Sequence, residues 1–132
     1  MKILFVCTGN AIRSPVAEAL LKKYKPEIEV DSAGTNPSIP ISSSARNYLV
    51  NENAQIFLKK TPESLNEKKI NVYNLIIAMK PEHMLSILRK CPECKDKIVV
   101  WNIIDPYFLS SQDSDRVFKE INGKVKEFIE KL

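Results

Sequence analysis

Cys7 and Arg13 bracket the segment Cys7-Thr8-Gly9-Asn10-Ala11-Ile12-Arg13-Ser14, which leaves an apolar run and enters a helical one. The residues between them are enough to wrap the backbone into a ring with its N–H groups turned inward. Such a nest, placed at a helix N-terminus, binds a tetrahedral oxyanion. The Arg13 guanidinium can fork onto two of the oxygens. Gly9 and Asn10 are residue types that accept a left-handed backbone. Helix dipole and guanidinium together favour the thiolate form of a cysteine, and Ser14 can donate a hydrogen bond to the sulfur. A lone cysteine would read as a small buried residue ending a strand. Here nucleophile, turn residues, fork donor and helix start arrive together.

Transfer of a phosphoryl group to sulfur expels an alkoxide or phenoxide, which needs a proton, and water must later lose one. A single carboxyl can do both. Asp105, followed by Pro106, lies after the last apolar run and is the candidate, although Asp-Pro by itself also opens an ordinary turn. Cys91 and Cys94 form the other thiol cluster. With His83 the only histidine, a closed zinc site lacks a fourth strong ligand, and no metal is expected. The pair reads as a helix-ending turn with two incidental thiols, or as a redox pair able to exchange with Cys7. His83, beside Glu82, reads as a surface residue.

These groups need a scaffold that brings distant loops to one edge. Ile3–Val6 is a continuous apolar run, as in a strand buried on both faces. Ser14 and Pro15 open a helix bearing Val16, Ala17, Leu20, Leu21 and Tyr24, and Pro26 stops it. Ile28–Asp31 alternates like an edge strand. Ser42–Asn51 is helical with Ala45, Tyr48 and Leu49 inward. Between Glu52 and Val72 the one local helix start is Thr61-Pro62-Glu63. Leu75–Met79 and Ile98–Trp101 are strands around a helix over Pro81–Lys90, which turns Met84, Ile87 and Leu88 to one side. Trp101 reads as core. A last helix from about Ser114 to Leu132 buries Val117, Ile121, Val125, Phe128, Ile129 and Leu132. Strands alternating with helices give an α/β fold: a single three-layer domain over residues 1–132. Its four-stranded parallel sheet has order 2-1-3-4, with helices on both faces. The switch point falls between strands 1 and 3, beside Cys7.

Composition agrees with one such domain. The chain has 132 residues, 44% hydrophobic and 27% charged, which excludes a disordered tail, a collagenous repeat and a membrane bundle. Its net charge of +4 comes from lysines spread among acids, Lys59, Lys60, Lys68 and Lys69 included, a pattern of solvated surface with no nucleic-acid stripe. An odd count of three cysteines argues for a reduced thiol in a cytoplasmic protein, and the N-terminal apolar run is too short for a signal or a membrane span. The sequence sets no oligomeric state.

The loop resembles the phosphate loop of the low-molecular-weight protein tyrosine phosphatases, which share their fold with the thioredoxin-coupled arsenate reductases. The likeness continues through Pro15-Val16-Ala17-Glu18-Ala19, Asp31-Ser32-Ala33-Gly34-Thr35, Ile76-Ile77-Ala78-Met79 and Trp101-Asn102-Ile103-Ile104-Asp105-Pro106-Tyr107. The resemblance implies a cofactor-free phosphomonoester hydrolase working through a cysteinyl phosphate. Cys7 would be the nucleophile, Arg13 the phosphate holder and Asp105 the general acid and base. Thr8, Gly9, Asn10, Ala11, Ile12, Ser14 and Tyr107 would line the substrate site. It implies a phosphotyrosine protein or small aryl phosphate as substrate, and inorganic phosphate as product and inhibitor.

The sequence also departs from the family. Ile12 replaces a frequent second loop cysteine, which leaves Cys7 without a local disulfide partner. Asn36-Pro37-Ser38-Ile39-Pro40 lacks the usual cleft aromatic, so Tyr107 supplies one wall and the other is open. Lys80 stands where the family has aspartate. An arsenate reductase would need widely spaced relay thiols just after strand 3, where Met79-Lys80 stand. A phosphoryl-carrier domain would lack the arginine and the Asp-Pro acid, and a plain anion-binding module would not need Asp105.

Overall fold

The computed structural model covers all 132 residues. Its elements run β1 (Lys2–Cys7), α1 (Arg13–Tyr24), β2 (Glu29–Gly34), α2 (Ser43–Asn51), β3 (Leu75–Ala78), α3 (Pro81–Lys90), β4 (Ile98–Val100) and α4 (Ser111–Glu130). All strands pair in parallel in the order β2-β1-β3-β4, as the alternation of elements predicts.

The two-residue period of β1 divides the core. Ile3, Phe5 and Cys7 face one side with Val16, Leu20 and Leu21 of α1 and Val117, Ile121 and Val125 of α4. Leu4 and Val6 face the other, against Ile76, Ala78, Ile87 and the segment that carries Leu65 and Ile70. Covered on both faces, β1 has no polar position to spare, which is why it reads as an unbroken apolar run. Trp101 packs on Phe5 at 5.4 Å between ring centroids and is half-buried.

Several expectations fail for physical reasons. Thr61-Pro62-Glu63 starts no helix. The segment between α2 and β3 makes only single turns of 3-10 helix at Gln55–Phe57, Leu65–Glu67 and Ile70–Val72. It is held by side chains rather than by its own backbone. Lys68, its side chain only 9% exposed, bridges Asp31 at 2.6 Å and Glu63 at 2.8 Å. Burial pushes the Lys68 ammonium down, but the hydrogen bonds to Asp31 and Glu63 outweigh it and hold the group above its ordinary value. Lys59, which pairs with Glu63 at 2.8 Å, and Lys68 are therefore partly buried ion-pair partners, not solvated charges. β2 lies at the edge of the sheet as expected but spans Glu29–Gly34, running past the expected end at Asp31 with Ser32, Ala33 and Gly34 buried. α4 begins earlier than Ser114, capped by the Ser110 hydroxyl on the Asp113 amide, and Leu132 is exposed.

Cys91 and Cys94 are disulfide-bonded and buried, not free thiols. They sit past the end of α3, whose 10 residues span about 15 Å, at the sheet edge opposite Cys7. That separation removes direct exchange with Cys7. No helix is long and apolar enough to cross a membrane.

Candidate active site

Parallel strands deliver the ends of β1, β3 and β4 to one edge, and the segment 7–14 closes over it. Its centre is Asn10, fully buried and the loop's one left-handed residue, at φ 52°. Gly9 has no positive φ, so the left-handed position falls to Asn10 alone. An amide side chain there offers two donors and a twofold acceptor, and all are used. Nδ2 donates to Ser14 Oγ at 2.8 Å and to Ser32 Oγ at 2.9 Å. Oδ1 accepts from Lys59 Nζ and from the Glu63 backbone N–H, both at 2.8 Å. Ser32 in turn donates to Glu18, a buried carboxylate paired with Lys22. Glu18, Ser32, Lys59 and Glu63 were not singled out as site residues. The Pro-Val-Ala-Glu and Asp-Ser-Ala-Gly segments that carry the first two were the available signal.

Cys7 is the one free cysteine. Its Sγ lies 2.9 Å from Ser14 Oγ and accepts from the Asn10 backbone N–H at 3.3 Å. Asn10 Nδ2 donates to the Ser14 oxygen, and the Ser14 hydroxyl proton is free to be donated to a Cys7 thiolate. Ser14 therefore does not cap α1. The helix begins at Arg13 with no side-chain cap.

Arg13 is 3% exposed. Its Nη1 donates to the Ile103 carbonyl at 2.9 Å and its Nη2 to Thr8 Oγ1 at 3.4 Å, with Asp105 Oδ2 3.6 Å from Nη2. The guanidinium's fixed fork of five donors leaves N–H groups for an anion. Asp105 is half-exposed, and its Oδ1 accepts from the Tyr107 backbone N–H at 3.1 Å. Cys7, Gly9, Ala11, Ile12, Arg13, Asp105 and Tyr107 line one small pocket of about 40 Å³, and Ile39 joins them. Ile39 thus supplies a wall where the aromatic-free segment predicts an open cleft. The remaining predicted residues, Thr8, Asn10 and Ser14, hold the pocket from behind. A wider groove of about 560 Å³, bordered by Ile41, Ser43, Pro106 and Leu109, continues from Ile39 and Tyr107. No group of His, Cys, Asp or Glu is arranged to hold a metal ion.

His83, expected at the surface, is 1% exposed and reaches the loop, with Nε2 2.8 Å from Thr8 Oγ1. Burial first, and the Arg13 guanidinium second, push its imidazole down from 6.5 to about 4. Lys80, the odd residue after Met79, donates through Nζ to Asn102 Oδ1 at 3.0 Å and so ties the end of β3 to the loop after β4.

Comparison with known proteins agrees with this geometry. The family model for low molecular weight phosphotyrosine protein phosphatase matches residues 2–132. The phosphatase Etp of Escherichia coli K12 is 30% identical over 138 aligned residues, covering 98% of this chain and 93% of that protein. A protein-arginine-phosphatase of Geobacillus stearothermophilus is 35% identical over 115 residues, covering 86% of this chain and 75% of that protein. Among solved structures, the low molecular weight protein tyrosine phosphatase of T. tengcongensis superimposes with a TM-score of 0.89. It is 31% identical, and the match covers 100% of this chain and 99% of that one. Wzb of Vibrio vulnificus in complex with benzylphosphonate gives 0.89 at 26% identity, covering 99% and 98%. With the thiol, the guanidinium and the carboxyl gathered at one pocket of the same fold, the chain belongs to the low-molecular-weight phosphotyrosine protein phosphatases, a family of cysteine-dependent enzymes.

Proposed function

We propose that this phosphatase hydrolyses phosphotyrosine in proteins through a phosphate ester of Cys7, with Arg13 and Asp105 as the other catalytic groups. One observation carries the reading: Cys7, Arg13 and Asp105 line the same pocket, and the Cys7 sulfur receives hydrogen bonds from the loop itself. Cys7 Sγ attacks phosphorus, an S–P bond forms and the P–O bond to the leaving group breaks. Asp105, protonated, gives its proton to the departing oxygen. Water then attacks phosphorus, Asp105 takes its proton, and the S–P bond breaks to release inorganic phosphate, which also competes with substrate. Arg13 and the loop amides stabilise the equatorial oxygens throughout, so most of the catalysis is preorganised electrostatics.

Ile39 and Tyr107 form an apolar slot suited to a flat ring. The neighbouring groove takes the polypeptide that bears it. A reducing compartment such as the cytoplasm suits a catalytic thiol. Phosphoarginine is a second substrate reading, favoured by the 35% identity to a protein-arginine-phosphatase. An arsenate relay is disfavoured because the other two cysteines lie at the far edge of the sheet.

The test is turnover of phosphotyrosine, phosphoserine and phosphoarginine peptides side by side, with arsenate plus thioredoxin as a further substrate. Cys7→Ser should abolish phosphate release, and surviving activity would remove the assignment. Asp105→Asn should slow esters with poor leaving groups far more than p-nitrophenyl phosphate. Equal slowing would take the proton-transfer role away from Asp105.

A further inference from the structure

His83 is a buried titratable side chain in direct contact with the phosphate loop, and the mechanism above leaves it unused. Its ring is fixed from both ends. The Lys80 backbone N–H, which can only donate, points at Nδ1 at 3.0 Å. This is the half of a capping box supplied by the third residue of a helix, here an imidazole in place of a carboxylate or amide. With Nδ1 an acceptor, the proton of the neutral ring lies on Nε2 and is donated to Thr8 Oγ1. The downward push on the ring by burial and by Arg13 agrees with a neutral imidazole.

Thr8 Oγ1 also accepts from Arg13 Nη2. Two donors therefore converge on the hydroxyl that follows the nucleophile in sequence. Arg13 has two further holds, and they differ in kind. The Ile103 carbonyl is neutral and fixed. Asp105 changes its protonation during the proposed cycle, so its attraction for the guanidinium comes and goes. Thr8 and Ile103 are the anchors that stay constant.

We propose that His83 is a positioning residue of the phosphatase: by donating through Nε2 it fixes Thr8 Oγ1 as an acceptor for Arg13, and so holds the guanidinium in its anion-binding orientation. The proposal rests on the reading of Cys7 and Arg13 as the phosphate site. It gives the end of β3 a task in the chemistry, transmitted from Lys80 through His83 and Thr8 to Arg13.

Two amide replacements separate the ring's ends. His83→Asn keeps an acceptor near Nδ1 for Lys80 and loses the donor to Thr8. His83→Gln keeps a donor near Nε2 and loses the cap. The readouts are kcat/KM with p-nitrophenyl phosphate, the inhibition constant of inorganic phosphate, and the melting temperature. His83→Asn should weaken phosphate inhibition and lower kcat/KM by about tenfold, the effect of one hydrogen bond. His83→Gln should stay within about threefold of the parent. Thr8→Val should reproduce the tenfold loss with His83 intact, and adding His83→Asn to it should cost nothing more. A folded His83→Asn protein with the parent's phosphate inhibition would overturn the proposal. So would His83→Gln losing as much as His83→Asn, or additive losses in the double variant. If His83→Asn fails to fold, Thr8→Val decides alone, and parental phosphate binding in it is refutation. A parent protein that neither binds phosphate nor turns over the ester would instead refute the site reading itself.

Discussion

Gly34 ends β2 directly against the phosphate loop, and adding one methyl group there should damage catalysis more than folding. A Cβ built on Gly34 would stand 2.5 Å from the Thr8 carbonyl oxygen, 2.8 Å from the Asn10 nitrogen and 2.9 Å from the Gly9 carbonyl carbon. All three are backbone atoms of the loop. Gly34 itself has no positive φ, so the strain is purely one of approach. Ordinary contact begins near 3.4 Å, so loop and strand must part by roughly 0.9 Å. They are tied together beside that point, Thr35 N–H to the Cys7 carbonyl at 3.0 Å and Asn36 N–H to the Thr8 carbonyl at 2.8 Å. The loop therefore shifts, carrying Cys7 and Arg13 together away from Asp105 and from the Ile103 carbonyl that anchors the guanidinium. A misplacement of about 1 Å costs on the order of a hundredfold in rate. Overpacking at one methyl costs about 1–3 kcal/mol in stability. The assay is kcat/KM and phosphate inhibition of Gly34→Ala beside its urea midpoint, with a crystal structure of the variant. A folded variant that keeps kcat/KM within about threefold of the parent would show that the loop tolerates the displacement, and the argument from close approach would be wrong.

Lys59→Met should loosen the Asn10 hub, because Lys59 Nζ serves Asn10 Oδ1, the Ser32 carbonyl and Glu63 together. We expect a loss of about 2 kcal/mol in urea unfolding together with weaker phosphate inhibition, and unchanged inhibition would confine Lys59 to a folding role. His83 should make the fold acid-sensitive. Its folded value near 4 lies below the ordinary 6.5, so below pH 6.5 the unfolded chain takes up a proton that the folded one refuses. Stability should therefore fall by about 2 kcal/mol between pH 7.5 and pH 5. Urea titrations of the parent and of His83→Asn test this, and an equal fall in both would clear His83 of the effect. The Cys91–Cys94 disulfide closes only a short loop, so reducing it should lower unfolding stability by no more than about 2 kcal/mol. The Cys91→Ser/Cys94→Ser double variant should retain the parent's kcat/KM, and a large loss would connect the far edge of the sheet to the site.

The strands, the order of the sheet and the loop were legible because each is written in local pattern: apolar runs for β1 and β3, and spacing for Cys7, Arg13 and Ser14. The misread residues share one property, polar side chains whose partners lie far away in sequence. Lys59, Lys68 and His83 look like surface groups because charge and hydrogen-bonding capacity are local, whereas Asn10, Asp31 and Thr8 reach them only through the fold. Ile39 escaped notice because an aliphatic residue in a proline-rich loop carries no chemical signature. The segment between α2 and β3 has no period at all, since side-chain bonds to Asn10 and Asp31 give it its shape.

Asn10 is held by Ser14, Ser32, Lys59 and Glu63, none of which borders the pocket, while Ile39 and Tyr107 border it and hold nothing in the loop. The reaction machinery and the surface that meets the substrate are thus mechanically separable. Walls at positions 39 and 107 can be exchanged for larger, smaller or charged side chains while the loop keeps its form. A lineage, or an engineer, can retarget this enzyme there without rebuilding its chemistry.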